Sequence, residues 1–178
     1  MMSAADVLAV TSRLAAAGIP FWLDGGWGVD ALIGEQTRPH ADLDIVVPLD
    51  AADGLIATLS EDAFAVITDE RPTRLVLEAP DGRKIDIHPV VFDDTGNARQ
   101  VGAGPNGGDA PYPAAGFAGR GLIGGAETPC LTPELLLMHH QGYRPLAKDW
   151  HNVRFLCARF ALKVPAAYEM FMEGHETG

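Results

Sequence analysis

The spacing of apolar residues divides this 178-residue chain into helix-like and strand-like stretches. An apolar-rich run from Val7 to Ala17 predicts a first helix over residues 3–17. Ser3-x-x-Asp6 resembles a capping box that opens it, and Gly18 stops it. Phe21-Trp22-Leu23 predicts a strand over 20–24, followed by a tight turn at Gly25-Gly26-Trp27 and a short helix, Val29–Ile33, ended by Gly34. Leu43, Ile45, Val46 and Val47 mark a buried strand over 42–47. Asp50 is placed to cap a helix reaching residue 59, with a strand near 63–68 beyond it. Arg74–Glu78 and Lys84–His88 flank Pro80-Asp81-Gly82-Arg83, which predicts a hairpin. Residues 95–113 are rich in Gly, Pro and Asn and read as a mobile loop, with short strands expected at 121–123 and 127–130. Thr132-Pro133 suits the opening of a helix running to Tyr143, and two more helices are expected at 148–160 and 165–174.

Chemistry concentrates between Phe21 and His88. Asp42 and Asp44 are spaced i, i+2, so a strand presents both to one face, where their mutual repulsion calls for a compensating charge. A hard divalent cation such as Mg²⁺ supplies it and shares its coordination sphere with phosphates. Asp86 and His88 alternate with Ile85 and Ile87 on a second strand, and a third strand-borne carboxylate allows one or two cations. An Asp-x-Asp alone is equally a solvated strand end. The upstream Gly25-Gly26 turn shifts that balance, because a glycine turn opening a helix offers bare N–H groups and a positive dipole end to phosphate oxygens. Trp27 is a candidate for stacking on an acceptor or for packing. His40 suits either phosphate contact or a structural hydrogen bond, and Asp30 is expected to pair with a nearby cation or amide.

The pattern Gly25-Gly26-Trp27-Gly28-x-Asp30, then Thr37-Arg38-Pro39-His40-Ala41-Asp42-Leu43-Asp44, then Asp86-Ile87-His88-Pro89, resembles the small antibiotic nucleotidyltransferases. These are the aminoglycoside 2″-adenylyltransferases and lincosamide nucleotidyltransferases of the DNA polymerase β-like superfamily. The likeness is dense from Phe21 to Val91 and thinner beyond. It implies an α+β nucleotidyltransferase fold, a mixed twisted sheet flanked by helices, with a core over 1–131 and a helical subdomain over 132–178. It makes Asp42 and Asp44 paired metal ligands, and Asp86 a third ligand and candidate base. Gly25 and Gly26, with Arg38 and Lys148, would hold the outer phosphates, and His88 and Trp27 would line the acceptor pocket. The implied cofactor is Mg²⁺, as two ions, with ATP as co-substrate. The implied reaction is AMP transfer to a hydroxyl of an aminoglycoside or lincosamide. One departure stands out: relatives often carry an acid one turn after the Lys148-Asp149 pair, where this chain has Asn152.

Composition narrows the partners. A net charge of −11 argues against a nucleic-acid footprint, which needs basic patches, and suits a small hydroxylated, cationic acceptor. Two cysteines without metal-like spacing fit reduced thiols in a cytoplasm, and no stretch is long enough to span a membrane. The helical C-terminal part offers a surface for a homodimer. Two other readings remain at this stage: a nucleotidyltransferase modifying a partner protein, as in toxin–antitoxin pairs, and a catalytically silent nucleotide-binding module.

Overall fold

Alternation along two parallel neighbours, β2 (Leu43–Pro48) and β5 (Lys84–Phe92), organises the molecule. The computed structural model describes residues 1–172, so the last two residues of the helix expected at 165–174 lie outside the described residues, as does the end of the segment 132–178. Leu43, Ile45, Ile85 and Ile87 point to one face of the sheet and are fully buried. They pack with Leu75 and Leu77 of β4 (Arg74–Glu78) under α1 (Ala4–Ala16) and α3 (Ala52–Ser60). Asp44, Val46, Asp86, His88 and Val90 alternate with them, as a period of two requires, and so face the other way. There Val46 and Val90 join a second cluster with α4 (Pro133–His139) and α5 (Ala147–Phe160).

The remaining strands extend the sheet on both sides. Its order is β3-β4-β5-β2-β1-β9-β8, with β3 at Ala65–Glu70, β1 at Trp22–Leu23, β9 at Ala126–Cys130 and β8 at Gly119–Ile123. β2–β5 and β1–β9 run parallel and the other pairs on this path antiparallel, so the sheet is mixed. With helices packed against it, the architecture is α+β. No helix among the described residues is long and apolar enough to cross a membrane.

Local chemistry accounts for most element ends. Ser3 and Asp6 form the capping box of α1, and the hairpin between β4 and β5 closes with Ala79 N–H donating to the Arg83 carbonyl. Three expectations change. A 3-10 turn, Leu49–Ala51, precedes α3, and the N-cap is Ala51 with no side-chain bond from Asp50. Thr132 is the N-cap before Pro133 as expected, but α4 ends at His139 rather than Tyr143. Most consequentially, segment 95–113 is not a structureless loop. It folds as β6 (Ala98–Gln100) and β7 (Ala110–Tyr112), an antiparallel pair added to the far end of β5.

Candidate active site

The glycine pair lies inside a helix rather than ahead of it. Helix α2 spans Gly25–Ile33, with Asp24 as its N-cap accepting the Gly25 N–H at 2.7 Å. Gly25 adopts φ +54° and lies so close to the neighbouring strand that a Cβ there would collide with the Asp44 carboxylate. Only glycine tolerates both the left-handed backbone and the contact. A Cβ on Gly26 would collide with the His40 ring and the Arg38 guanidinium. The start of α2 therefore abuts a carboxylate at Gly25 and a guanidinium and an imidazole at Gly26.

Parallel pairing puts Asp44 directly beside Asp86, with Asp42 just before β2. Burial raises the Asp42 pKa, and the charges of Asp44 and Asp86 raise it further, while Lys148 in the first turn of α5 opposes them. The three carboxylates are thus crowded enough to feel one another. Each of the two strand-borne acids has a cationic or protonatable neighbour. Arg74 grips Asp86 through Nε, 3.0 and 3.1 Å from its two oxygens, and through a terminal nitrogen at 2.5 Å. His88 Nε2 stands 3.6 Å from Asp44 Oδ1. Burial disfavours a charged His88, but contact with Asp44 and the charges of Asp24, Asp44 and Asp86 outweigh it and lift its pKa to about 9. With Asp86 turned to Arg74 and Asp44 to His88, no three His, Cys, Asp or Glu side chains among the described residues are gathered as a ready-made metal cage.

A second set of contacts fixes the basic side. Asp30, 1% exposed, receives the Thr37 hydroxyl at 2.6 Å and lies 2.5 Å from His40 Nε2, so its partners are a hydroxyl and an imidazole. Arg38 makes no salt bridge to Asp42 or Asp44; its Nε donates to Asn152 Oδ1 at 3.4 Å and a terminal nitrogen to the Pro39 carbonyl at 3.1 Å. Asn152 in turn donates to His140 Nε2 at 3.1 Å, and His140 Nδ1 donates to the Leu136 carbonyl at 2.8 Å. The neutral Asn152 orients Arg38 without cancelling its charge.

Trp27 corrects an expectation. It is 1% exposed and packs against His40 at 4.7 Å between ring centroids, inside the first core cluster, so it has no surface to offer an acceptor. His88 keeps a quarter of its side chain exposed and stays at the site. Asp24 and Arg74 have no motif of their own. A single acid before a glycine pair, and an arginine diagonal to Asp86 across the hairpin, become meaningful only once α2 and the strand register are known.

A family model for aminoglycoside-2″-adenylyltransferase matches residues 6–156. The chain belongs to this family. The adenylyltransferase-family chain is 31% identical over 138 residues to a lincosamide resistance protein of Staphylococcus haemolyticus, covering 78% of this chain and 84% of that protein. A 2″-aminoglycoside nucleotidyltransferase of Klebsiella pneumoniae is 27% identical over 145 residues, 80% of this chain and 76% of that one. Among solved structures, lincomycin-bound LnuA, a lincosamide antibiotic adenylyltransferase, superposes with a TM-score of 0.73 at 28% identity, over 84% of this chain and 93% of LnuA. This member of the family is accordingly a nucleotidyltransferase of the antibiotic-modifying kind, with the nucleotidyltransferase fold. Membership implies a nucleotide co-substrate and, in general, a divalent metal.

Proposed function

We propose that this protein transfers AMP from ATP to a hydroxyl of a lincosamide or aminoglycoside, and so confers resistance. The observation that carries the reading is the junction of α2 with β2 and β5, where helix N–H groups, Arg38 and three carboxylates face one another. The donor set fits Mg²⁺: three hard oxygen donors, with burial and then mutual crowding raising the proton affinity of Asp42. Asp42 and Asp44, with Asp86, would hold it; bound, it would neutralise charge on the triphosphate and the departing pyrophosphate.

The chain's own residues do the rest. Gly26, and Gly25 once its N–H leaves Asp24, present N–H groups to the outer phosphates, with Arg38 and Lys148 supplying positive charge. Asp86 orients the acceptor hydroxyl and takes its proton, which requires Arg74 to release one of the oxygens it holds. The acceptor oxygen then bonds to the α-phosphorus in line as the bond to pyrophosphate breaks. His88, beside Asp44, lines the acceptor side. Residues 1–131 act as the catalytic core, and the helical part after it brings Lys148 and Asn152 to the site. The test is mass spectrometry of a lincosamide and aminoglycoside panel incubated with protein, ATP and Mg²⁺, beside Asp42→Asn. A gain of one AMP on an antibiotic, lost in the variant, is expected. No gain on any compound would remove the antibiotic assignment.

A further inference from the structure

Gln100 is 6% exposed, an unusual place for a polar side chain on a three-residue strand, and every one of its polar atoms is engaged. Its amide nitrogen donates to the Thr73 carbonyl at 2.7 Å and lies 3.2 Å from His88 Nδ1. Its amide oxygen accepts the Tyr112 hydroxyl at 3.1 Å. These partners fix the orientation of the amide, since a carbonyl can only accept and the Tyr112 hydroxyl has its proton to give. One N–H is therefore spent on Thr73 and the other points at His88 Nδ1, which accepts it in the neutral ring. In the neutral ring the proton then sits on Nε2, the nitrogen facing Asp44 Oδ1.

We propose that Gln100 is a positioning residue, delivered by the β6–β7 hairpin, that holds His88 as an Nε2–H donor aimed at Asp44 and thereby orients this carboxylate as a metal ligand. The inference rests on the reading of Asp44 as a ligand. A histidine N–H directed at a ligating carboxylate, here across 3.6 Å, biases the ligand's rotation and is the kind of supporting contact that sets metal affinity. Tyr112 completes the arrangement from the next strand. Its hydroxyl locks the amide that locks the ring, so three side chains from β7, β6 and β5 lead in sequence to Asp44 on β2.

Two measurements test this without relying on turnover. In metal-free protein, the imidazole ¹⁵N shifts of His88, followed up in pH to the plateau of the neutral ring, should show Nε2 protonated and Nδ1 bare; a plateau with Nδ1 protonated would overturn the proposal. Mn²⁺ binding followed by electron paramagnetic resonance should weaken about tenfold or more in Gln100→Met, which keeps the side-chain length and removes the donors. Tyr112→Phe, which removes one oxygen, should weaken it in the same direction by less. Wild-type Mn²⁺ affinity in folded Gln100→Met, with His88→Ala impaired, would overturn the role of Gln100. If Gln100→Met does not fold, the ¹⁵N shifts and Tyr112→Phe decide. Wild-type protein whose Mn²⁺ binding is untouched by Asp44→Asn would instead remove the ligand reading, and this inference with it.

Discussion

On one face of the sheet, Leu43, Ile45, Leu75, Leu77, Ile85 and Ile87 are fully buried and pack under α1 and α3. On the other, Asp44, Asp86, His88 and Arg74 share a small area with partly exposed side chains. The same three strands, β2, β4 and β5, supply both faces, one residue to each in turn. The first face is redundant, since many apolar contacts of similar kind add up. The second is specific, since each charged group has one or two partners and a shift of any of them changes the others. Stability and chemistry are thus carried by alternate residues of the same strands.

Substitutions that load one face and spare the other sharpen this contrast. Leu55→Ala, fully buried under the apolar face, should cost about 2–5 kcal/mol by chemical denaturation. It should leave turnover per folded molecule unchanged, and a collapse of specific activity in the folded variant would break the separation. Gly25→Ala should behave in the opposite way. The left-handed backbone costs about 1–2 kcal/mol, but the added methyl displaces Asp44, so AMP transfer should fall about a hundredfold. Near-normal transfer would show that the close approach of α2 to β2 is not required. Ser3→Ala removes the capping box of α1, which packs on the apolar face, and should cost about 1 kcal/mol in thermal melts, with activity untouched.

Much of this contrast is legible in the chain itself. The period-two pattern around Asp42–Val47 and Lys84–His88, the Ser3–Asp6 cap and the Pro80–Arg83 turn are local signals, and local hydrogen bonds and burial act on them directly. What escapes is non-local. Gly25-Gly26 reads as a turn because glycine disfavours helices, yet Asp24 caps a helix that starts at Gly25. Trp27 is near the glycines in sequence, but the helix turns it into the core. Gln100 and Tyr112 sit in a Gly- and Pro-rich segment whose three-residue strands have no periodicity of their own. They exist because β5 extends to Phe92 and offers an edge to pair with. Arg74 is legible as a strand residue, but only the register reveals the bidentate grip on Asp86.

The parallel seam between β2 and β5 also has a consequence during synthesis. As the chain leaves the ribosome, β1 is already available to pair with one edge of β2, while the partner for the other edge follows only after α3, β3 and β4. Until then Ile45-Val46-Val47 presents an open, β-branched edge of the kind that nascent chains use to stick to one another. Yield in a cell should therefore depend on how quickly translation runs from Pro48 to Phe92, and slow codons in that interval would lengthen the exposure.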